Sequence, residues 1–299
     1  MGWEFDEHRT RDGLRLRTGM WSVRQPRGHC LIIQGRGDYL EKHAEAAALL
    51  AALGLTVVSV DLRGQGASSR LRGRAGTADV VSFDDHLDDL EEVLGSRSGL
   101  VGPRLVLSHS MGGLLTVQHL LRWPQHVAAA VLLSPMFAFR GAPPPAVVAG
   151  LAAAAVTLGF GGALAPGERA ADPEHCDLAT NMSTDDPDGF ARLQPLQRAH
   201  RDLVVEGGTW RWVRAANRAI RQVARADLAH ITTDVLIASS PTDPGVDPAV
   251  HHSLAARLPA ARVRTYAGRH DLLFASPATV ETLWQDIASH LTPHLGPPS

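Results

Sequence analysis

Six consecutive residues, Ser108 to Gly113, constrain the fold more than any other part of the chain. They follow an apolar run, Leu105 to Leu107, and lead into a segment with helical periodicity. A strand that turns sharply into a helix through a small-residue turn lifts the turn's serine hydroxyl clear of the strand and aims the next main-chain N–H groups towards it. The sequence therefore predicts a strand, a tight turn and a helix, with Ser110 as the candidate nucleophile.

Apolar, β-branched runs recur along the chain, and helical patterns separate several of them. Strands that alternate with helices are joined by crossover connections, which is typical of a parallel sheet with helices on its faces. One helical pattern, 38–54, is rich in alanine, and another, 82–94, begins with Ser82 and Asp85 in capping-box spacing. The predicted strands are His29–Ile33, Thr56–Val60, Arg104–Leu107, Ala129–Leu133, Asp234–Ala238 and Arg262–Tyr266.

This alternation stops after Ser134–Phe137, and the next strand pattern begins only at Asp234. Helical patterns and Pro or Gly breaks fill the interval, which is typical of an insertion. We predict an α/β fold with a mostly parallel central sheet flanked by helices and an inserted helical cap. Residues 1–137 and 231–299 form the two parts of the core, and residues 138–230 form the cap.

The interval contains a long uncharged stretch, Gly141 to Pro166, whose length alone would allow it to span a bilayer. Its composition argues against a membrane span, because alanine and glycine dominate and prolines 143–145 interrupt it. It also has few of the Leu, Ile and Phe residues that favour insertion. We expect no transmembrane segment here, and instead a buried or interfacial helix of the cap.

Two side chains lie where an acid and a base are needed to activate the serine. Asp243 and His270 each follow a predicted strand, and the carboxyl ends of parallel strands meet at one edge of a sheet. A serine hydroxyl becomes a good nucleophile when an imidazole accepts its proton, and a carboxylate fixes the tautomer of that imidazole. We expect His270 to be the base and Asp243 the acid. Asp247 is the alternative acid if Asp243 does not reach His270. His109 is expected to pack against the turn that carries Ser110, residues 108–113, which we call the elbow.

The negative oxygen that forms when a serine attacks a carbonyl needs main-chain donors. The loop after the first predicted core strand, residues 34–37, contains glycines that let a substrate approach the backbone closely. We expect the N–H groups of Arg36 and Met111 to bind this oxygen and so form the oxyanion hole. Because these donors belong to the main chain, the side chains of the two residues need not be polar. The other loop and elbow positions, which we expect to be structural, are Gly35, Ser108 and Gly112.

Charge and cysteine content exclude several classes of function. Lys and Arg number 29 against 31 Asp and Glu, and no basic stripe follows the chain, so we do not expect nucleic acid as a partner. Cys30 and Cys176 have no metal-ligand spacing and are expected to be free thiols. The N-terminus is charged from its first residues and lacks the apolar core of a signal peptide, so we expect a cytoplasmic protein.

Several blocks of residues resemble one known family. Together they are similar to the bacterial lysophospholipase and monoacylglycerol lipase branch of the α/β-hydrolases, which includes serine aminopeptidase-like proteins, over nearly the whole chain. The blocks are Gly35–Asp38 with Lys42 and His43, Asp61–Gly66 with Ser68, and the elbow; looser likenesses, around the cap, fall on Ser134–Phe137, Asn181, Thr184, Asp186, Gly207–Thr209 and Trp212. The chain departs from the family at Ser108 (usually Gly), Asp38 (Glu), His43 (Tyr) and Asp271 (often Glu).

The resemblance implies hydrolysis of a fatty-acyl ester in a lysophospholipid or monoacylglycerol, with no metal and no organic cofactor. We expect a serine hydrolase that forms an acyl-enzyme, in the first place a lysophospholipase, with a lipid ester as partner and transient membrane-surface contact through the cap. Two interpretations of the apolar cap residues stay open: they line an entrance for an acyl chain, or they form the cap's own core. The residues concerned are Val147–Leu164, Phe190, Trp210 and Trp212.

Four alternative functions remain open at this point. Two keep the ester chemistry, as a monoacylglycerol lipase or a general carboxylesterase. A third is an aminopeptidase-like hydrolase, whose substrate amine would be held by acidic cap residues. The fourth is a binding protein that keeps the fold without turnover, since a fold alone does not confer a function. The acidic residues of the cap are Glu168, Asp172, Glu174, Asp177, Asp185, Asp186 and Asp188.

Overall fold

A twisted central sheet dominates the computed structural model, which describes residues 2–71, 76–170, 172 and 177–297. Eight strands form this sheet in the order β1-β2-β4-β3-β6-β7-β9-β10, and β5 and β8 form a small second sheet. The strands of the described residues are β1 (Glu4–Arg9), β2 (Arg15–Trp21), β3 (Gly28–Ile33), β4 (Leu55–Val60), β5 (Thr77–Ala78), β6 (Arg104–His109), β7 (Ala129–Leu133), β8 (Gly207–Gly208), β9 (Asp234–Ser239) and β10 (Ala261–Thr265).

The direction of the strands confirms the predicted mostly parallel sheet. From β4 through β3, β6, β7 and β9 to β10, every neighbouring pair is parallel, and only β2 runs antiparallel to β1 and β4. All six strands predicted from the sequence are present, with ends that differ by at most two residues. The hairpin of β1 and β2 was not predicted, and it extends the sheet at one edge.

Helices cover both faces of the sheet, and three of those described lie in the region 138–230. Those of the described residues are α1 (Ala44–Ala52), α2 (Phe83–Ser96), α3 (Met111–Arg122), α4 (Pro145–Thr157), α5 (Pro187–Ala199), α6 (Trp210–Arg225), α7 (Ala249–Ala255) and α8 (Pro277–Leu291). The predicted helix 38–54 begins later than expected, because residues 40–43 form a 3-10 turn before α1. The side chain of Ser82 caps α2 by accepting the N–H of Asp84 at 3.2 Å.

The buried strand β3 shows how the core is divided. Successive side chains of a strand point to opposite faces of the sheet. Leu31 and Ile33 pack in the layer that contains residues of α2, α3 and α6, whereas Cys30 and Ile32 pack in the layer that contains residues of α1 and α8. Burial on both faces explains why β3 reads as a continuous apolar run rather than as an alternating one.

The region 138–230, for which we predict a cap, contains α4, α5, β8 and α6. Strand β8 pairs in parallel with β5 of the core. Asp79, which follows β5, accepts hydrogen bonds from the Thr209 hydroxyl at 2.7 Å and from Arg211 Nε at 2.9 Å. These bonds fix the first turn of α6 to the core. Among the described residues, no helix combines the length and the apolar character needed to cross a membrane.

Candidate active site

The turn between β6 and α3 holds Ser110 in an unusual backbone conformation. Its φ of 52° and ψ of −114° are strained for a side chain with a Cβ, and such strain is kept only where the surroundings enforce it. Here the Ser110 N–H donates to the carbonyl of Leu133 at 2.9 Å, and its carbonyl accepts the N–H of Met136 at 3.0 Å. The neighbouring strand therefore holds the predicted elbow in place.

Two glycines allow the helix to begin this close to the sheet. A Cβ on Gly112 would lie 2.1 Å from the carbonyl oxygen of Ile33, and one on Gly113 would lie 2.5 Å from Cβ of Pro135. Ser108 stands where the family has glycine. It is buried, and its hydroxyl donates to the carbonyl of Val131 at 3.3 Å, so the extra side chain is accommodated within the sheet.

The structure brings together the three side chains expected to act in catalysis. The Ser110 hydroxyl lies 2.8 Å from Nε2 of His270, and Nδ1 of His270 lies 2.7 Å from Oδ2 of Asp243. Both distances are those of good hydrogen bonds, and the imidazole joins the hydroxyl to the carboxylate. The side chain of His270 is 16% exposed, so the imidazole is reachable from solvent.

Asp243 is held as a carboxylate. Burial alone would raise its pKa, but the hydrogen bond from His270, the charge of that ring and two main-chain donors outweigh burial and lower the pKa. The donors are the N–H groups of Gly245 and Val246, at 2.8 and 2.9 Å from Oδ1. The reserve acid Asp247 has a different position, since its Oδ1 accepts the N–H of Ala249 at 3.0 Å near the start of α7.

The loop after β3 presents one free main-chain donor beside the serine. The N–H of Gly35 donates to Asp38 at 2.9 Å and that of Gly37 to the side chain of Gln65 at 3.1 Å. Between them, the N–H of Arg36 has no hydrogen-bond partner among the described residues. A Cβ on Gly35 would lie 3.3 Å from Cβ of Ser110, which shows how closely the loop approaches the elbow.

Met111 supplies the second candidate donor. It is the first residue of α3, and the first N–H groups of a helix have no partner within that helix. The positive end of the helix dipole adds to this, so the elbow favours negative charge beside the serine. The N–H groups of Arg36 and Met111 therefore stay the candidates for the oxyanion hole.

The side chain of Arg36 reaches away from the site into the inserted region. Its guanidinium pairs with Glu168 at 2.9 Å and lies 4.6 Å above the ring of Trp212. Glu168 also accepts the N–H of Gly208 at 3.1 Å. Trp212 is buried and its ring lies 6.1 Å from that of Phe83 on α2, so for this residue the structure favours packing between cap and core.

The acidic residues considered for an aminopeptidase have varied surroundings. Glu168 is already paired with Arg36, and Asp186 caps α5 by accepting the N–H of Gly189 at 2.8 Å. Glu174 lies outside the described residues, as does Cys176. Cys30 is a free, fully buried thiol, and burial raises its pKa to about 12, so it is uncharged at neutral pH.

Sequence reasoning assigned no role to Lys42, yet its side chain is only 9% exposed and lies behind the site. It pairs with Asp38 and with Asp271, the residue after His270. The spacing of Asp38 and Lys42, four residues apart, was the available signal, but such a pair usually lies on a solvated face. His109, expected to pack against the elbow, also binds Asp38 through Nδ1 at 3.1 Å.

Comparisons with known proteins agree with this geometry. A family model described as Serine aminopeptidase, S33 matches residues 24–276. A lysophospholipase of Escherichia coli is 28% identical over 281 residues, covering 89% of this chain and 81% of that protein. A monoacylglycerol lipase of Mycolicibacterium smegmatis is 31% identical over 147 residues, covering 46% of this chain and 48% of that protein.

Solved structures share the fold at lower identity. A monoacylglycerol lipase of Paleococcus ferrophilus superposes with a TM-score of 0.71 at 20% identity, covering 93% of this chain and 99% of that one. A soluble variant of monoglyceride lipase from Saccharomyces cerevisiae gives 0.78 at 17% identity, with coverages of 99% and 97%. These likenesses confirm the predicted α/β-hydrolase fold.

Proposed function

Because this chain belongs to the family described as Serine aminopeptidase, S33, we propose that it is a serine hydrolase that cleaves carboxylic esters through an acyl-enzyme. One observation carries the proposal: the hydroxyl of Ser110, the imidazole of His270 and the carboxylate of Asp243 form an unbroken hydrogen-bonded series with separations of 2.8 and 2.7 Å. The same arrangement of roles activates serine in unrelated hydrolase folds.

In the first half-reaction, Ser110 Oγ attacks the ester carbonyl while Nε2 of His270 takes the hydroxyl proton. Asp243 accepts the Nδ1–H, which fixes the tautomer and stabilises the imidazolium. The carbonyl oxygen becomes an oxyanion, for which the N–H groups of Arg36 and Met111 are the donors we propose. The intermediate collapses, the C–O bond to the alcohol breaks, and His270 returns the proton to the leaving alkoxide.

In the second half-reaction, water attacks the acyl-enzyme and gives its proton to His270. The same oxyanion donors act again, and the intermediate releases the carboxylic acid as Ser110 recovers its proton. Each proton taken by the imidazole is returned within the same half-reaction. The cycle therefore needs only the side chains and main-chain groups named here and one molecule of water.

For the substrate we propose a lysophospholipid, because the E. coli relative that aligns over most of both chains bears the name lysophospholipase. A monoacylglycerol is the second candidate, favoured by the name of the M. smegmatis relative, which aligns over about half of each chain. Both are single-chain lipid esters. The serine mechanism is the same for either, and they differ in the head group that leaves.

We further propose that α4 brings the cap to a lipid surface. The outward face of this helix is apolar: Val147 is 50% exposed, Leu151 55%, and Leu158, directly after the helix, 72%. Phe160 beyond it is 61% exposed. Four large apolar side chains within an uncharged stretch suit a partner that is itself apolar, such as a micelle or bilayer of substrate.

The test of the reaction is a panel of p-nitrophenyl esters of rising chain length, run beside lysophosphatidylcholine and monoacylglycerol, with fluorophosphonate labelling of the same samples. We expect Ser110→Ala to abolish labelling and to lower kcat by a factor on the order of 10⁴ or more. Ser108→Ala is the matched control, and it should retain both. A folded wild-type protein that is neither labelled nor active would favour the non-catalytic alternative.

The panel also separates the substrates. Preference for acetate over long chains would remove the lipid assignment and favour a general carboxylesterase, while preference for monoacylglycerol would favour the second candidate.

For the surface contact, Leu151→Ser with Leu158→Ser should lower the rate on micellar lysophosphatidylcholine several-fold and leave the rate on a short soluble ester unchanged. Equal loss on both substrates would contradict the surface role of α4.

A further inference from the structure

A buried cluster of charged residues lies behind the candidate active site. The ammonium of Lys42 is 2.5 Å from Oδ1 of Asp38 and 2.8 Å from Oδ2 of Asp271. All three side chains are at most 9% exposed. The catalytic scheme proposed above uses none of them directly, so their burial as charged groups needs another explanation.

Each carboxylate is attached to a different part of the site. Asp38 closes the oxyanion loop, because its Oδ2 accepts the N–H of Gly35 at 2.9 Å. Asp271 directly follows His270, and its own N–H donates to the carbonyl of Ser183 at 2.9 Å. The ammonium of Lys42 therefore joins the loop that carries the Arg36 N–H to the loop that carries the imidazole.

His109 connects the nucleophile to the same cluster. Its Nδ1 is 3.1 Å from Oδ2 of Asp38, and its Nε2 is 3.4 Å from the carbonyl oxygen of His270. Both ring nitrogens face acceptors, which only an imidazolium can satisfy with two donors. Burial lowers the pKa of His109, but the carboxylates of Asp271 and Asp38 outweigh burial and raise it. The direction of this shift favours the protonated ring beside the two carboxylates.

The geometry resembles a metal site with an ammonium in the place of the ion. Asp38, His109 and Asp271 present oxygen and nitrogen atoms that lie within 4.8 Å of one another. Lys42 supplies the positive charge to both carboxylates, and burial of this kind leaves little freedom for any member to move. A buried charge that binds both carboxylates is suited to fixing the distance between the oxyanion loop and the histidine loop. The elbow joins the same cluster through His109 and Asp38.

We propose, on the basis of the serine hydrolase function proposed above, that Lys42 is a positioning residue. By holding Asp38 and Asp271 together, it fixes the oxyanion loop, the elbow and the histidine loop at the separations that the reaction needs. Lys42 touches neither the substrate nor the reacting atoms. It acts through Gly35 and Arg36 on one side and through His270 on the other.

Two physical arguments support a geometric rather than a stabilising role. A buried ion pair adds little net stability compared with apolar residues of the same volume, because desolvation of the charges offsets their attraction. In contrast, displacement of a catalytic group by about 1 Å can cost on the order of 10²-fold in rate. A cluster that binds all three parts of the site can therefore matter more for kcat than for folding.

The experiment compares Lys42→Met with a neutral triple variant, D38N/K42M/D271N, on a short soluble ester. Lys42→Met leaves two buried carboxylates uncompensated and can fail to fold. The triple variant removes all three charges, keeps side-chain acceptors at positions 38 and 271, and is the deciding variant. We expect it to fold, to lower kcat on the order of 10²-fold and to change KM by less than about threefold.

The matched control is R63M/D89N. Arg63 and Asp89 form a buried pair at 2.5 Å with exposed fractions of 9% and 2%, close to those of Lys42 and Asp271, but they make no contact with the three catalytic residues. We expect kcat of this control to stay within about twofold of the wild type. A folded triple variant with wild-type kcat, or equal losses in both variants, would overturn the proposal.

Failure of the proposed function would look different. In that case the wild-type protein would neither hydrolyse esters nor react with a fluorophosphonate, and the variants could not be distinguished from it by rate. Failure of the positioning role requires an active wild type whose triple variant is equally fast. Folding of every variant is followed by circular dichroism and thermal unfolding in the same buffer.

Discussion

The two ends of α3 contrast in how their geometry is fixed. At the start, Ser110 has a positive φ and two glycines press against the backbone of neighbouring segments. At the end, His119 and His126 bind Glu91 of α2 through side chains, at 2.8 and 3.2 Å. The first end is held by close main-chain contacts that tolerate no extra atom, whereas the second is held by side-chain contacts to a carboxylate that is 22% exposed.

This difference teaches where substitutions along one helix should have large effects and where they should have small ones. At the start of α3, an added atom meets closely packed backbone beside the proposed nucleophile, so we expect large effects there. Substitutions at its end act on charges that are partly solvated, so they change the free energy of unfolding by modest amounts. Substitutions at the site and at both ends of α3 can break this contrast, with changes in rate and in stability compared as free energies.

The largest effect is expected at the site. Asp243→Asn should lower kcat on the order of 10⁴-fold, about 5.5 kcal/mol, because an amide cannot accept the Nδ1–H and stabilise the imidazolium in the same way. Asp247→Asn should change kcat by less than about threefold, since its acceptor for Ala249 is kept. Steady-state rates on a soluble ester measure both effects. A larger loss for Asp247→Asn than for Asp243→Asn would identify Asp247 as the acid.

A smaller effect is expected from the backbone contact at the elbow. Gly112→Ala should lower the free energy of unfolding by about 3 kcal/mol, because the new methyl would lie 2.1 Å from the carbonyl of Ile33. Gly95→Ala on α2 is the control, since its methyl would meet no described atom within 4 Å and should stabilise the protein by about 0.5 kcal/mol. Urea unfolding measures the change in stability of both variants. Equal changes would show that the close contact with Ile33 does not determine the effect at Gly112.

At the other end of α3, Glu91→Gln should cost about 2 kcal/mol at neutral pH. Burial would raise the pKa of Glu91, but hydrogen bonds and charges from His119 and Arg104 outweigh burial and lower it from 4.5 to about 2. Its contribution is therefore complete above pH 4.5 and is lost as the pH falls towards 2. The free energies of unfolding of the wild type and the variant should therefore converge as the pH falls over this range. A difference that does not change with pH would contradict the lowered pKa of Glu91.

The smallest effect is expected from Arg122→Ala. The arginine pairs with Asp88 at 2.7 Å, but the two side chains are 46% and 52% exposed, and the pair is screened by water and salt. Its guanidinium also lies 4.5 Å above the ring of Trp123. We expect a loss below about 1 kcal/mol in thermal unfolding that shrinks in high salt. A loss as large as that at Gly112 would remove the contrast between the two ends.

Much of the fold could be predicted, because buried parallel strands read as apolar runs. Five of the six predicted strands are present for this reason, whereas β10, ARVRT, is exposed at its two arginines and packs only Ala261 and Val263 against the core. The hairpin of β1 and β2 could not be predicted in the same way. Strand β1 has the sequence EFDEHR and is exposed along most of its length, so its pairing depends on main-chain hydrogen bonds that leave no periodic apolar signal.

The candidate site was predicted in part. Ser110, Asp243 and His270 were found from their chain order and their places after strands, and the structure brings them within hydrogen-bond distance. Their catalytic roles remain proposals that the variants above test. Lys42 was present in a family block but no role could be predicted for it, because its pairing with Asp271 joins distant parts of the chain and leaves no sequence signal.

Arg36 combines two connections that are usually made by separate residues. Its main chain belongs to the loop that approaches the elbow at Gly35, and its side chain pairs with Glu168 and lies over the ring of Trp212. Any substrate bulky enough to push α6 outward would pull on the very peptide unit that is proposed to receive the oxyanion. The size of the substrate would then affect the rate of bond breaking as well as the affinity.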